Sequence, residues 1–220
     1  MSYSRTRSAA RRVISAALVA ALALGGAGCA PTAQSTPGAD PSGPAGVDGA
    51  TAQLGQLTVA QASSMKGYSR EHFPHWRDAG KNCDVRDTVL QRDGEDIKLA
   101  GCNVVGGRWT SVYDKKTLTD PADVDIDHMV PLANAWRSGA DEWSDAERGD
   151  FANDLTRPQL LAVSAGSNRG KGDQGPEEWQ PPNRDYWCTY AESWITVKHH
   201  WKLTVTAAEK TTLTEMLGTC

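Results

Sequence analysis

The segment Asp125-Ile126-Asp127-His128-Met129-Val130-Pro131-Leu132 contains the most informative chemistry of this chain. Its first half predicts a short strand, on which Asp127 and His128 point to opposite faces. At a strand end, next to a turn, adjacent side chains can reach one small volume from two sides. An Asp offers a hard oxygen ligand to Mg²⁺ or a similar ion, and a His can take a proton from water near neutral pH. An Asp–His pair that forms only a structural hydrogen bond would give the same sequence pattern. The flanking residues are therefore needed to distinguish a catalytic pair from a structural one.

Two asparagines follow this pair along the chain. Asn153 precedes Asp154, and Asn168 precedes Arg169-Gly170-Lys171. Each has an ordinary interpretation, because Asn caps helices well and also occurs at helix C-termini. Asp154 competes with Asn153 for the functional position. The order Asp-His, Asn, Asn and then Arg-Gly-Lys is nevertheless a specific arrangement.

Six segments carry a resemblance to a known family. They are GYSREHFPHW (67–76), CDVRDTVLQRD (83–93), DHMVPLANAWRSGA (127–140), FANDL (151–155), SNRGKGD (167–173) and EEWQPP (177–182). Together they resemble the HNH, or ββα-metal, endonucleases, and among these the exported proteins related to the C-terminal domain of GmrSD-type restriction enzymes. The resemblance covers about 67–220. It implies an α+β fold: a helix-rich single domain around a ββα-metal motif with a small antiparallel sheet.

The resemblance also implies roles at matching positions. Asp127 takes the place of the first metal ligand and His128 that of the general base. Asn153 matches the residue that orients the His through its side chain. Asn168 matches the second metal ligand, where the family name implies a His. Oxygen-only ligation of this kind suits Mg²⁺ or Mn²⁺ better than Zn²⁺.

A nuclease of this kind needs cations beside the phosphate. Arg169 and Lys171 are expected to lie near substrate phosphate, and an Arg is expected to share the charge that develops in the reaction. The candidates for that Arg are Arg86, Arg137 and Arg169, and the sequence does not choose between them. Tyr68 and Arg70 are candidates for substrate contacts, although packing and a surface position are the more common roles of such residues. The implied function is a metal-dependent endonuclease acting on DNA, with RNA left open, and we expect a monomer.

The pattern of the N-terminal part of the chain predicts an export signal followed by a linker. Residues 1–28 combine a basic start, a short apolar run and small residues, which is typical of a secretory signal. Cys29 follows as in a bacterial lipobox, which predicts a lipid anchor as the only membrane contact; ordinary cleavage is the alternative. Residues 29–56 are rich in Pro, Gly and Ala and predict a disordered tether, which leaves 57–220 as the folded domain.

Four cysteines remain in that domain. An even number in an exported chain predicts two disulfides. Three pairings are possible, and we favour Cys83–Cys102 and Cys188–Cys220 because each joins neighbouring segments. A tetrahedral zinc site is the rival, but the chain has no Cys-x-x-Cys pair.

Two further patterns predict local structure. Segment 83–91 reads as a short strand. The longest helix is predicted over 184–201, where Trp187, Trp194 and Trp201 recur on one helical face and should be buried.

Charge is the main argument against a nucleic-acid substrate. The formal net charge is −4. Residues 1–28 hold four Arg and no acidic residue, so 19 basic and 27 acidic residues remain after their removal, a net charge of −8. Nucleic-acid binders usually present a basic face. Two other functions therefore stay open: a non-catalytic surface lipoprotein that binds through an HNH-like scaffold, and a hydrolase of another phosphodiester.

Overall fold

The computed structural model describes residues 44–80 and 83–220. The predicted signal segment 1–28, the lipidation site Cys29 and the tether up to residue 43 lie outside these ranges. No helix in the described ranges is both long and apolar enough to cross a membrane.

The described residues contain seven α-helices and seven short strands. The helices are α1 Gly46–Gln56, α2 Val85–Asp93, α3 Leu132–Arg137, α4 Asp145–Ala152, α5 Ala165–Lys171, α6 Trp187–His200 and α7 Ala207–Leu217. The strands are β1 Asp78–Gly80, β2 Cys83–Asp84, β3 Glu95–Ala100, β4 Asn103–Thr110, β5 Thr117–Leu118, β6 Val124–His128 and β7 Leu160–Ser164. They form three antiparallel sheets, β1-β2, β3-β4-β5 and β6-β7. The α+β prediction is therefore confirmed.

The ββα unit is the element that positions the site. Strand β6 pairs with β7 along its whole length, with Asp127 opposite Leu161 and His128 opposite Leu160. Helix α5 begins directly after β7, and the Ser164 side chain caps it by accepting a hydrogen bond from the backbone N–H of Ser167. The last residues of β6 and the first turns of α5 are thereby held side by side.

The strand predicted over 83–91 is wrong for most of its length. Only Cys83 and Asp84 are in a strand, and α2 begins at Val85. Asp84 and Asp87 form a capping box, in which each side chain accepts a hydrogen bond from the other residue's backbone N–H. This reciprocal cap starts a helix in a segment whose side chains alone do not distinguish helix from strand.

The tether predicted over 29–56 is also wrong for its last part. Residues Gly46–Gln56 form α1, and Ala50 and Leu54 are buried in the main core. Ala50, Leu54 and Leu57 recur at helical spacing and bury one face. The folded domain therefore begins before residue 57.

Helix α6 is the centre of that core, packed against α1 and α7. Trp194 is fully buried, and Trp187 and Trp201 pack partly buried against the same cluster. The predicted tryptophan face is therefore confirmed. A second, smaller core lies between α2 and the strands, built on residues such as Leu90, Trp109 and Ile126.

Both predicted disulfides are present. Cys83 is bonded to Cys102 and Cys188 to Cys220, each with Cα atoms 5.2 Å apart. The second joins the first turn of α6 to the last residue of the chain, so it ties down the end of the chain after α7.

Removing the second disulfide should destabilise the fold. It closes a sequence separation of 32 residues, and the entropy of the open loop corresponds to roughly 3–4 kcal/mol. We expect the Cys188→Ala/Cys220→Ala variant to lose this free energy of unfolding in urea titrations. The Cys83→Ala/Cys102→Ala variant, with a separation of 19 residues, should lose slightly less. An unchanged midpoint in the first variant would contradict this account.

Candidate active site

The ββα unit lines a cleft of about 250 Å³ with the predicted site residues. Asp127 and His128 reach it from the end of β6, and Asn168 and Arg169 reach it from α5. Arg70, in a 3-10 turn before β1, also lines the cleft. The structure thus brings together the Asp-His pair and the second asparagine, as the motif order implied.

Asp127 is held rigidly at the floor of the cleft. It is buried, and its Oδ2 accepts hydrogen bonds from the Tyr113 hydroxyl at 2.5 Å and from Lys171 Nζ at 2.6 Å. Within the described ranges no hydrogen bond falls on its other oxygen, Oδ1. Since Asp127 lines the cleft, Oδ1 is the atom available to a ligand there.

Lys171 does not lie where the sequence placed it. It is fully buried, and besides the Asp127 carboxylate its ammonium donates to the carbonyls of His128 at 2.7 Å and Met129 at 3.0 Å. Burial lowers the pKa of Lys171, and the Asp127 charge opposes that shift. All three ammonium protons therefore have partners inside the protein, so the expected contact of Lys171 with substrate phosphate is corrected to an internal ion pair.

His128 is held in one orientation by its neighbours. It is buried, its ring stacks on Trp76 at 5.5 Å with planes 9° apart, and its Nε2 lies 2.9 Å from the Ala152 carbonyl oxygen. Burial lowers the pKa of His128 to about 3, and the positive charge of Arg70 acts in the same direction. A neutral imidazole that donates from Nε2 carries its lone pair on Nδ1.

Asn153 holds the neighbouring chain rather than the imidazole. Its Nδ2 donates to the carbonyls of Pro74 and Gly149, both at 2.7 Å, and its Oδ1 accepts from the backbone N–H of Arg77 at 3.0 Å. As the C-terminal cap of α4 its side chain turns toward that segment. The orienting contact expected from Asn153 is therefore made by the Ala152 carbonyl.

Asn168 completes an oxygen donor set. Its Nδ2 donates to Asp125 Oδ2 at 3.1 Å, which leaves its amide oxygen for a ligand in the cleft. Carboxylate and amide oxygens suit a hard divalent cation, so Asp127 and Asn168 fit an ion of this kind.

Another cluster of metal-ligand side chains occurs near the end of the chain. In the described ranges the one group of Cys, His and acidic residues with close ligand atoms is Cys188, Glu192 and Cys220. Its two cysteines form a disulfide. It therefore does not compete with the cleft as a metal centre.

The three predicted arginines differ in their position relative to the cleft and in their partners. Arg86 donates to the carbonyls of Pro121 and Val124, supports the start of β6 and does not line the cleft. Arg137 pairs with Asp173 at 2.7 Å on the rim. Arg169 is exposed, 3.7 Å from Asp125. The expected catalytic part for Arg86 is thus replaced by a structural one.

Two contributors to the site, Trp76 and Tyr113, escaped sequence reasoning. Trp76 comes from the segment 67–76, which the family resemblance marked without giving it a role, whereas Tyr68 and Arg70, the candidate substrate contacts of that segment, do line the cleft. Tyr113 carries no motif, because its bond to Asp127 depends on the approach of the chain after β4 to the end of β6.

A further carboxylate anchors the start of α5. Asp114 Oδ2 accepts hydrogen bonds from the hydroxyls of Ser164 at 2.7 Å and Ser167 at 3.0 Å, and pairs with Lys116. Burial alone would raise the pKa of Asp114, but these bonds outweigh it and hold the pKa well below its ordinary value. Asp114 therefore fixes the helix that carries Asn168.

The cleft and the ββα unit define an HNH-type site, and the chain belongs to a family of that kind. Residues 84–216 match the family "GmrSD restriction endonucleases, C-terminal domain". An "Uncharacterized secreted protein" of Arthroderma benhamiae is 50% identical over 192 residues, which cover 86% of this chain and 94% of that protein. No solved structure matches the chain. The family indicates a nuclease-like domain, and the relative and the disulfides fit an extracellular protein.

The Asp114 bonds predict a pH-dependent contribution to stability. A carboxyl whose pKa falls on folding stabilises the protein above its unfolded pKa of about 4, and this stabilisation is lost as the pH falls through the lower folded value. The free energy of unfolding of Asp114→Asn should therefore be about 1–2 kcal/mol lower than that of wild type at pH 7. This difference in unfolding free energy should shrink below about pH 4. Urea titrations at several pH values measure this. The exposed Asp185→Asn serves as the control, and an equal difference at all pH values would contradict the prediction.

The buried ion pair predicts a larger effect. Lys171→Met leaves the Asp127 carboxylate buried without its cation, which should lower the free energy of unfolding by about 3–5 kcal/mol. Adding Asp127→Asn should recover part of that loss, because the uncompensated charge is then removed. Lys115→Met, in an exposed pair with Asp185, should change little. Chemical denaturation measures all three variants, and a Lys171→Met protein as stable as Lys115→Met would refute the prediction.

Proposed function

We propose that the protein is an exported, metal-dependent HNH endonuclease that hydrolyses phosphodiester bonds of DNA. One observation carries the proposal: His128, whose Nε2 donates to the Ala152 carbonyl and leaves Nδ1 to accept a proton, lines the same cleft as Asp127 and Asn168. The family supports a nuclease-like activity, and RNA remains a second substrate to be tested.

His128 acts as the general base in this proposal. It takes a proton from water at Nδ1, while the Ala152 carbonyl and the stacked Trp76 keep the ring in place. Asp127 and Asn168 hold Mg²⁺ or Mn²⁺. Such an ion, when bound, offsets the charge that develops on the phosphodiester oxygens.

Export and the oligomeric state belong to the same proposal. The two disulfides and the secreted relative favour an extracellular site of action. We further propose a monomer that is attached to the membrane, if at all, through a lipid on Cys29.

Plasmid nicking tests the proposed activity. The full protein, exported into an oxidising compartment and purified, should nick supercoiled DNA with Mg²⁺ or Mn²⁺ and stop when EDTA is added. His128→Ala should lower the rate by about 10²–10⁴-fold, because the general base is lost. His200→Ala, a substitution on an exposed part of α6, is the matched control and should cleave like wild type.

Other outcomes separate the alternatives. A folded wild-type protein that cleaves neither DNA nor RNA with any divalent cation would overturn the proposal and favour a binding protein. Hydrolysis of bis(p-nitrophenyl) phosphate without nucleic-acid cleavage would identify a hydrolase of small phosphodiesters instead.

A further inference from the structure

We infer that Arg70 is the cation that contacts the scissile phosphate, an assignment that rests on the proposed nuclease function. Arg70 lies in the 3-10 turn Arg70–His72 and lines the cleft together with Asp127, His128 and Asn168. It comes from a part of the chain far from the ββα unit. Two separate parts of the chain therefore line one cleft, with Arg70 on the first and the proposed metal ligands on the second.

The other cations near the cleft already have partners. Arg169 lies 3.7 Å from Asp125, Arg137 is paired with Asp173, and Lys171 is enclosed by Asp127 and two carbonyls. Arg70, in contrast, forms no ion pair with any carboxylate of the described ranges. An anion in the cleft would thus find an uncompensated guanidinium at Arg70.

A hydrogen bond to His75 orients the Arg70 guanidinium. Its Nδ1 lies 2.6 Å from the Phe73 carbonyl oxygen, so Nδ1 carries the proton and Nε2 accepts. Arg70 Nε donates to that Nε2 at 3.2 Å. This bond occupies Nε and leaves both terminal nitrogens to donate to two phosphate oxygens at once, which is the bidentate contact that Arg favours.

The same segment also supports the base. His75 packs edge-on against His128 at 5.9 Å, and the next residue, Trp76, stacks on that imidazole. The Pro74 carbonyl and the Arg77 N–H are tied to Asn153. The segment that carries Arg70 therefore also packs against the base and is tied to Asn153 at the end of α4.

The chemical step assigns Arg70 a defined task. As His128 takes the proton from water, the water oxygen forms a bond to phosphorus and the bond from phosphorus to the leaving 3′ oxygen breaks. That oxygen takes a proton from solvent. Negative charge increases on the non-bridging oxygens during the attack, and Arg70 donates two hydrogen bonds to them.

Cleavage kinetics with a labelled DNA duplex and the full protein test this assignment. Arg70→Ala should lower kcat/KM by on the order of 100-fold, and Arg70→Lys should recover little because Lys lacks the planar fork. Arg108→Ala is the matched control for net charge. It removes an exposed arginine of β4 that is paired with Glu95 of β3. Added guanidinium chloride at low concentration should restore part of the activity of Arg70→Ala and none of that of His128→Ala.

His75 is tested as a positioning residue. His75→Gln keeps an acceptor for Arg70 Nε and should retain most activity, whereas His75→Ala should lose about tenfold in kcat/KM, of the order expected for one hydrogen bond to a charged group. Melting temperatures of all variants are measured alongside. Arg70 is exposed, so its variants should melt with wild type.

The outcomes keep the two claims apart. An inactive wild-type protein would overturn the nuclease proposal, and the Arg70 assignment with it. An active wild type whose Arg70→Ala variant cleaves within threefold of Arg108→Ala would overturn the Arg70 assignment alone. So would a loss in Arg70→Ala that comes with a lowered melting temperature and is not rescued by guanidinium.

Discussion

The buried ion pair between Asp127 and Lys171 is the interaction on which the rest of the structure depends. The two charged groups lie 2.6 Å apart with almost no solvent exposure. Taking such groups out of water costs several kcal/mol each, which is offset only when their remaining hydrogen bonds are made. The Tyr113 hydroxyl and the carbonyls of His128 and Met129 make them. Because these partners come from three parts of the chain, the site can form only when β6, α5 and the segment after β4 have come together.

The helical core also contains buried charged groups that need partners. Lys171 lies 5.9 Å from the centre of the Trp194 ring, and Lys198 lies 5.7 Å from it. Lys198 is paired with the buried Glu209 of α7, which also accepts a hydrogen bond from Trp194 Nε1. One indole on α6 thus contacts two buried ion pairs, one of which belongs to the site. The helical core and the cleft are therefore a single packed structure.

Sequence reasoning succeeded where function depends on neighbours in the chain. The strand that ends in Asp127 and His128 follows from its local pattern. It failed where side-chain direction depends on distant partners: Lys171 turns inward because the Asp127 carboxylate lies beneath α5, and Asn153 turns toward Pro74 and Arg77. The composition of 29–56 concealed α1, because its few apolar residues matter only by their spacing.

The acidic net charge can be reconciled with a phosphodiester substrate through the local distribution of charge. Residues 29–220 carry a net charge of −8 and attract DNA weakly over long distances, so association should depend on a few contacts and respond little to salt. Around the cleft, Asp125 and Asp173 compensate Arg169 and Arg137, and Asp127 compensates Lys171. These pairs keep the approach to the site close to neutral. In the proposed nuclease, recognition would then depend on the bound metal and on the guanidinium of Arg70, whose Nε donates a hydrogen bond to His75.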